Sequence, residues 1–359
     1  QHQFKSNVTR SDSIAQEMVA FSNSHGGYLI IGVNDDGSIS GLNAEDISRI
    51  NQLVSNASTE HMRPPIAPTT QNFNFPNGMV MLVHIPEGIS KPYMDKNLHV
   101  YVKSGADKRK VTAREELQRI FQQADLIHAD ELPVTNTSIK DIDLVAFSQF
   151  FENEYGESLD EQSLTPTQLL ENMNLMVATN TSTEYQLNYA GALLFAKRPQ
   201  IKLPVFLIKA VAFYGTDITD EQYIDSRDIT GKLSEMFAQA LSFCMMNIRY
   251  LQNDQGFNSI GEPEIPKIVF EELIANALIH RDYFVSAPIR LLIFSDRVEI
   301  ISPGHLPNNL TIENIKMGNS NIRNPILASF ASKLLPYRGL DSGILRTYKA
   351  YPDIELIDD

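Results

Sequence analysis

The fold of the C-terminal region follows from the stretch EELIANALIHRDY at residues 271–283. Apolar side chains recur at helical spacing from Val269 to Ala277, so the stretch predicts a helix with one apolar face. Glu272 and Asn276 are four residues apart and project from the same side of that helix. A carboxylate that polarises water, beside an amide oxygen that is a hard ligand, suits a magnesium-nucleotide site. Spacing alone favours the ordinary interpretation, a surface pair on an amphipathic helix.

The residues after this helix predict a β-hairpin and then a loop. An apolar run at 289–294 is followed by a turn at 295–296 and a second run at 298–301. The hairpin closes on the sequence SPGHLP at 302–307. Two apolar runs around a short polar turn are typical of paired strands, and glycine with proline marks the loop.

Further motifs complete the C-terminal pattern. Asn276-Ala277 is followed by His280-Arg281-Asp282-Tyr283, and Ser302-Pro303-Gly304 by Ile322-Arg323-Asn324-Pro325 and by the sequence RGLDSGI at 338–344. Together they resemble the C-terminal domain of the RecG-related transcriptional regulators, a divergent member of the GHKL nucleotide-binding fold of gyrases and histidine kinases. The resemblance covers roughly the last hundred residues. It implies a GHKL-like α/β sandwich and, as cofactor, ATP with Mg.

The resemblance also assigns candidate nucleotide residues. In working GHKL domains the helix supplies a Glu and an Asn, which here are Glu272 as catalytic base and Asn276 as nucleotide and magnesium ligand. His280 either faces the same pocket or meets the negative end of the helix dipole. An Asp-x-Gly-x-Gly loop would read adenine, but SPGHL at 302–306 replaces it, so that carboxylate is missing. The remaining cofactor-binding candidates are Gly304, Gly339, Ser342 and Gly343.

Length and composition indicate a protein of two or three domains, because 359 residues exceed one ordinary core. No apolar run reaches membrane-spanning length and no signal peptide is visible, so we expect no membrane partner. The lone cysteine, Cys244, excludes an internal disulfide and a Cys-rich zinc site. A buried thiol in a reducing, cytoplasmic compartment is the expectation.

The net charge of −14 is distributed unevenly. Residues 1–125 carry 12 Lys and Arg against 13 Asp and Glu, 126–260 carry 8 against 18, and 261–359 carry 10 against 13. The acidic middle would repel DNA, whereas the N-terminal part need not. Polar segments at 125–138 and 253–264 separate these three ranges, which we predict to be an N-terminal domain, a mixed α/β connecting region and a GHKL-like domain.

The N-terminal range shows a dense set of motifs within an order of helix, strand, tight turn, helix and further strands. This order resembles the Schlafen AlbA-type domain, which implies an α+β domain that binds nucleic acid, DNA or RNA. The matching residues are Phe4-Lys5, Ala20-Phe21-Ser22-Asn23, Gly26-Gly27, Ile31-Gly32-Val33, Asp35-Asp36-Gly37, Gly41, Lys91-Pro92, Tyr101-Val102-Lys103-Ser104-Gly105 and Thr112-Ala113-Arg114-Glu115-Glu116.

Residues 101–110, YVKSGADKRK, place four cations around a Ser-Gly loop. Such a loop can follow phosphates, and its aromatic side chain can stack on a base. The ordinary interpretation of the run at 108–110 is a solvated turn. The predicted nucleic-acid-binding residues are Tyr101, Lys103, Lys108, Arg109, Lys110 and Arg114.

One departure from the family concerns catalysis. In Schlafen ribonucleases a catalytic Glu precedes the Phe-Lys pair and works with other acids, but this chain has Gln3 at that position. A neutral amide cannot hold a divalent metal as a carboxylate does. Asp35 and Asp36 are explained by a turn. We therefore expect no nuclease activity.

The sequence as a whole predicts a multidomain α+β protein. Residues 193–200 and 228–231 resemble the connecting segment of the same regulator family. We expect a bacterial-type, DNA-binding transcriptional regulator, a homodimer, with weak ATP binding at best. Two alternatives stay open: a GHKL-type enzyme that hydrolyses ATP with Glu272 and Asn276, and a dimeric interaction scaffold that binds neither ligand.

Overall fold

The computed structural model describes residues 1–105, 107–124, 126–179, 184–252, 261–307, 310–336 and 342–358, without the side chains of residues 115 and 123. The chain folds into two compact units, Gln1–Ile127 and His128–Asp359. No helix within these described ranges is long and apolar enough to cross a membrane.

The N-terminal unit combines helices with a sheet and a separate hairpin. Its helices are α1 (Ser11–Asn23), α2 (Ala44–Thr59) and α3 (Arg114–Gln123). Its strands are β1 (His2–Lys5), β2 (Gly27–Ile31), β3 (Met62–Arg63), β4 (Thr69–Phe75), β5 (Gly78–Ile85), β6 (Met94–Asp95), β7 (Tyr101–Ser104) and β8 (Asp107–Lys110).

The main sheet of this unit has the strand order β1-β2-β5-β4. β1 pairs with β2 in parallel, and the other two pairings are antiparallel. Leu29, Ile31 and Met81 are buried on one face, where they join Met18 and Phe21 of α1 in the core. Because successive side chains of a strand point to opposite faces, the residues between them form an outer face.

Two family motifs have a structural role at the end of α1. The Asn23 side chain donates to the carbonyls of Tyr93 (2.8 Å) and Tyr101 (2.9 Å) and accepts from the Tyr93 amide (2.7 Å). Gly26 has φ +67°, and a Cβ there would lie 2.6 Å from the amide nitrogen of Glu87. Asn23 therefore fastens α1 to β7, and only glycine fits the turn that follows.

The C-terminal unit has more helices. They are α4 (Leu144–Tyr155), α5 (Pro166–Asn172), α6 (Tyr189–Phe195), α7 (Pro199–Lys202), α8 (Leu233–Asn247), α9 (Lys267–His280), α10 (Ile312–Lys316), α11 (Pro325–Leu334) and α12 (Gly343–Ala350), with 3-10 turns at Ala129–Glu131, Ile139–Asp141 and Leu159–Glu161. Its strands are β9 (Met176–Ala178), β10 (Tyr185–Leu187), β11 (Ile208–Phe213), β12 (Tyr223–Ile229), β13 (Tyr250–Leu251), β14 (Glu262–Pro263), β15 (Ile289–Ile293) and β16 (Val298–Ile301).

The main sheet of the C-terminal unit has the order β12-β11-β15-β16. β11 and β15 are parallel neighbours, and β12 and β16 flank them antiparallel. α8 and α9 pack against this sheet. The helix, hairpin and loop that the sequence predicts for residues 266–307 are present, and the multidomain α+β class is confirmed.

The surroundings of α9 differ from the sequence expectation. Val269 and Ala277 are buried as predicted, but so are Glu272, Ile274 and Leu278 on the other sides of the helix. The helix is covered nearly all round because α8 packs on one side and α12 on another. Glu272 therefore does not lie on a solvated surface.

The larger hydrophobic core of the C-terminal unit spans both of its predicted parts. It contains Phe195 and Phe243 from the predicted connecting region together with Phe270, Ile274 and Leu291 from the predicted GHKL-like domain. The predicted division into residues 126–260 and 261–359 stays a prediction.

Candidate functional site

A cluster of lysines surrounds one buried carboxylate in the N-terminal unit. Glu17 of α1 is buried, with its side chain 4% exposed. Its Oε1 lies 3.5 Å from Lys5 Nζ and 3.0 Å from Lys108 Nζ. Its Oε2 lies 3.6 Å from Lys103 Nζ. Glu17, Lys5, Lys103 and Lys108 are called the lysine cluster below.

Strand geometry explains why these residues meet. Alternation along β1 puts Gln3 and Lys5 on the side of α1, because side chains two apart share a face. Lys103 of β7 and Lys108 of β8 are direct partners in the hairpin register. Two like charges placed opposite each other repel, and the Glu17 carboxylate between them offsets that repulsion.

Lys103 occupies the buried end of the cluster. Its side chain is fully buried, donates to Gln3 Oε1 at 3.2 Å, and has its Nζ 4.6 Å from the centroid of the Phe21 ring. Burial lowers the pKa of Lys103, while the nearby charges of Glu17 and Asp107 act in the opposite direction. Lys103 therefore holds Gln3 and Glu17 in place and does not reach solvent itself.

Lys5 and Lys108 form the accessible end of the cluster, with side chains 34% and 24% exposed. Three ammonium groups surround the Glu17 carboxylate, and Asp107 is the further acid that acts on Lys103. Positive charge therefore exceeds negative charge even with Asp107 included. Such a surplus attracts an external anion.

The other predicted nucleic-acid-binding residues are placed differently. Arg109 donates two hydrogen bonds to the Glu116 carboxylate, at 2.8 and 2.5 Å. Lys110 and Arg114 are exposed. Tyr101 is buried in the core and its hydroxyl lies 3.5 Å from Asp95 Oδ2, which disfavours base stacking by its ring.

The structure thus joins Lys103 and Lys108 of the predicted set and adds Lys5 and Glu17. The two-residue period of β1 was the sequence signal for Lys5, because it predicts that Lys5 and Gln3 share a face. Glu17 lies within a helix and carried no such signal.

In the C-terminal unit, the predicted catalytic Glu272 is held by an arginine. Arg346 of α12 donates to Glu272 Oε1 from Nε at 2.9 Å and from Nη2 at 2.5 Å. Its Nη1 donates to Ser342 Oγ at 2.6 Å. The Glu272 side chain is 4% exposed. Glu272 is the predicted catalytic base, and Arg346 neutralises its carboxylate within the protein.

The start of α12 covers the face of α9 that carries Glu272 and Asn276. A Cβ placed on Gly343 would lie 2.5 Å from Glu272 Oε2 and 3.7 Å from Asn276 Nδ2. A larger residue at this position would have to displace the Glu272 carboxylate. The structure therefore brings Glu272, Asn276, Ser342 and Gly343 together, packed against one another. Their role as nucleotide-binding residues stays a prediction. Gly339 lies outside the described residues.

Gly304 also contacts protein. It has φ +104°, and a Cβ there would lie 2.4 Å from Asp282 Cβ and 2.9 Å from Arg323 Nη1. Arg323 in turn donates to the carbonyl of His305. The glycine is needed for this packing, and the side chains that fill the space are Asp282 and Arg323.

The end of α9 is fixed by hydrogen bonds to its carbonyls. Asn324 is fully buried and its Nδ2 donates to the carbonyls of Ile279 (2.8 Å) and Arg281 (2.9 Å). The buried Arg281 donates to the carbonyl of Ala287 at 2.6 Å. His280 occupies the last turn of α9 and is half-buried. Asn324 thus satisfies orphan carbonyls at this helix end.

A further buried carboxylate, that of Asp130, caps the N-terminus of α11. Asp130 Oδ2 accepts from the amides of Ile326 (2.8 Å) and Leu327 (3.0 Å). Within the described part of the chain, its Oδ1 has no hydrogen-bond partner. Burial raises the pKa of Asp130 to about 6, although the two amides and the helix dipole favour the charged form.

Two family models match this chain. Residues 1–112 match the model described as Schlafen, AlbA_2, and residues 286–358 match the model described as Putative ATP-dependent DNA helicase recG C-terminal. The chain carries a Schlafen AlbA_2 domain at its N-terminus and a RecG-related domain at its C-terminus, as its motifs indicate.

Solved structures give weaker likenesses. The DIP2311 protein from Corynebacterium diphtheriae, known from a crystal structure, is 22% identical to this chain. The match covers 97% of this chain and 70% of the DIP2311 chain, with a TM-score of 0.45. A second match is the solution structure of the N-terminal domain of a Putative ATP-dependent DNA Helicase RecG-related Protein from Nitrosomonas europaea, which is 22% identical to this chain. That match covers 32% of this chain and 84% of the other, with a TM-score of 0.22. No curated protein is significantly similar to the chain.

The matched ranges divide the candidate residues. The whole lysine cluster lies within residues 1–112, and Arg114 follows that range. Gly304, Ser342 and Gly343 lie within residues 286–358. α9, with Glu272, Asn276 and His280, precedes the C-terminal match.

The described residues do not fit a bound magnesium-nucleotide. The Glu272 carboxylate accepts from Arg346, and α12 lies against the face where the ion would bind. Throughout the described ranges, no group of three or more His, Cys, Asp or Glu side chains is arranged to hold a metal. Ser302, which stands where the adenine-reading loop would begin, donates its hydroxyl to the carbonyl of Ala277 at 3.2 Å.

Proposed function

We propose that the N-terminal unit binds nucleic acid and that backbone phosphates bind at the lysine cluster. The convergence of Lys5, Lys103 and Lys108 on the single carboxylate of Glu17, within an AlbA_2 domain, supports this proposal. The cluster is a fixed concentration of positive charge on a chain whose net charge is −14.

The roles of the three lysines differ because their exposure differs. Lys5 and Lys108 contact phosphate oxygens, since their side chains are partly exposed. Lys103 is a positioning residue that contacts Gln3 and Glu17 at the buried end of the cluster. Phosphate contacts of this kind release counterions and give affinity without sequence preference.

The chemistry of the cluster favours binding without cleavage. Gln3 is neutral, and Glu17 is surrounded by ammonium groups, so neither side chain offers a carboxylate to a metal ion. We therefore propose a nucleic-acid-binding regulator, with DNA as the target, acting in the cytoplasm. RNA is the alternative target, and the experiment below separates the two.

Fluorescence anisotropy with labelled duplex DNA, single-stranded DNA and duplex RNA tests this function. We expect saturable binding of duplex DNA at low salt that weakens steeply toward physiological salt, because displaced counterions drive the association. Tighter binding of RNA would change the target and leave the site intact. Absence of binding to all three probes at low salt would refute the proposed function.

For the C-terminal unit, we propose that Glu272 and Asn276 hold α12 against α9. The hydrogen bonds from Arg346 to Glu272 and the packing of Gly343 support a structural role. Binding of ATP at this place would require α12 to move away and Arg346 to release the carboxylate. ATP hydrolysis is therefore not part of the proposed function.

A further inference from the structure

The sheet of the N-terminal unit ends in an unusual edge strand. β4 lies at the end of the order β1-β2-β5-β4, and all seven of its residues, TTQNFNF, are exposed. Phe73 and Phe75 are 40% and 44% exposed. β5 uses only one edge of β4, and no other described strand pairs with the opposite edge. An edge of this kind presents a row of backbone donors and acceptors.

The edge has none of the usual protective features. Proteins protect edge strands with lysine, proline, bulges or a short length. β4 is seven residues long, its register with β5 is continuous, and it contains neither a charged residue nor proline. The uncharged segment extends much further, because residues 64–86 contain no Lys, Arg, Asp or Glu.

We infer that β4 pairs antiparallel with β4 of a second copy of this chain, so that two N-terminal units share one continuous sheet. The charge distribution favours a second copy of the chain as the partner of β4. Two copies with a net charge of −14 repel each other over most of their surfaces, whereas the segment 64–86 contributes no like charges to the contact. A nucleic acid strand is disfavoured at this edge because the segment contains neither lysine nor arginine.

Antiparallel self-pairing defines a register that an experiment can detect. Asn72 is the central residue of β4, so in the symmetric register it lies opposite Asn72 of the second copy. Phe73 then lies opposite Gln71, and Phe75 opposite Thr69. No cross-strand pair brings like charges together, and the aromatic rings gain neighbours on the outer face.

The dimer has a consequence that rests on the proposed function. The shared sheet would have β1 at both outer edges, seven strand spacings apart, which is roughly 34 Å before the sheet twists. Lys5 of each copy lies on that strand. The separation is close to one helical turn of B-DNA, about 34–36 Å. A dimer would therefore present two lysine clusters to successive turns of one duplex.

Sedimentation of the full chain without nucleic acid tests the inference independently of the proposed function. We expect a dimer at micromolar concentration. Asn72→Lys places two lysines opposite each other and should raise the dimer dissociation constant by about tenfold or more. Asn97→Lys, an equal charge change at an exposed turn of the same unit, should leave the dimer intact. A monomeric wild-type chain, or equal effects of the two variants, would overturn the inference.

A crosslinking variant provides a second readout if Asn72→Lys folds poorly. Asn72→Cys should form an intermolecular disulfide under mild oxidation, because the two residues face each other across the symmetry axis. Asn97→Cys should not. The natural Cys244 is buried, and burial raises the pKa of its thiol to about 12, so it does not compete. Equal crosslinking of both variants would contradict pairing at β4.

Discussion

Glu17 in the N-terminal unit and Glu272 in the C-terminal unit are both buried glutamates on helices, but their cations differ. Three lysine ammonium groups lie within 4 Å of Glu17. Among the residues that the structure describes, one guanidinium, that of Arg346, binds Glu272. The first carboxylate is outnumbered by its cations, whereas the second is balanced.

This difference separates a binding site from a structural ion pair. Arginine offers a planar fork of donors, and Arg346 uses it on Glu272 and Ser342 together. Lysine is a hydrated point charge, and Lys5 and Lys108 keep part of their side chains in solvent. A surplus of accessible charge can accept an external anion, and a balanced, covered pair cannot.

Arg346→Ala should destabilise the C-terminal unit by about 2–4 kcal/mol, because it leaves the buried Glu272 carboxylate without its cation. The value is set below that of a fully buried pair because Arg346 is about one third exposed. Urea unfolding measures the change. Lys349→Ala, at an exposed position on the same helix, should cost less than about 0.5 kcal/mol. Similar losses of unfolding free energy for both variants would show that the ion pair between Arg346 and Glu272 does not stabilise the C-terminal unit.

Asp130 extends the comparison to a buried carboxylate with backbone partners instead of a cation. Its pKa is raised to about 6 in the folded state, so the folded chain binds the proton more tightly than the unfolded chain. The stability from this group is present at low pH and is lost as pH rises through about 6. Relative to Asp130→Asn, the wild type should lose roughly 2–3 kcal/mol of unfolding free energy between pH 4 and pH 7.

Chemical denaturation of both proteins across that pH range measures the difference. A constant difference in unfolding free energy between wild type and Asp130→Asn would mean that this carboxyl does not titrate in the folded state within the range. A difference that grows in favour of the wild type toward neutral pH would reverse the sign that burial dictates.

Glu17→Gln should strengthen nucleic acid binding, by about tenfold or less, because it removes an internal competitor of the phosphate. This direction is unusual, since loss of a buried partner ordinarily weakens a site. Glu45→Gln, which makes the same charge change at an exposed position of α2, provides the control in the anisotropy titration. Weaker binding by the Glu17 variant, in a protein with an unchanged melting curve, would place the phosphates elsewhere.

The smallest expected effect is that of ATP with Mg on thermal stability. A ligand that binds the folded state raises the melting temperature with its concentration. We expect no such rise, because Arg346 already neutralises Glu272 and α12 covers the site. The wild type and Glu272→Gln should both be unaffected. A saturable rise in the wild type that Glu272→Gln abolishes would show that α12 opens and that the structural role is wrong.

Local patterns in the sequence predict much of the fold. The apolar runs at 289–294 and 298–301 became β15 and β16, and the helix before them became α9. The strand β12 (Tyr223–Ile229) has no such signal, because most of its residues are exposed and polar. Periodicity reports burial on one face, so it also missed that α9 is buried on several sides.

The partners within each site were harder to predict. Lys103 and Lys108 were found because one hairpin joins them. Arg346 is 74 positions from Glu272, and Asn324 is 45 positions from the carbonyl of Ile279 that it binds. Pairings over such separations depend on how helices pack, and local spacing carries no information about them. The sequence therefore indicated Glu272 as a nucleotide residue without revealing that its charge is already matched.

The salt dependence of DNA binding shows most directly whether phosphates bind at the lysine cluster. The logarithm of affinity falls with the logarithm of salt concentration by about 0.9 per phosphate contacted. Lys5→Ala with Lys108→Ala should reduce that slope by about two and weaken binding at low salt. Lys197→Ala with Lys202→Ala, exposed lysines of the C-terminal unit, should leave the slope unchanged. An unchanged slope in the Lys5 and Lys108 variant would mean that the surplus charge around Glu17 is not where phosphates bind.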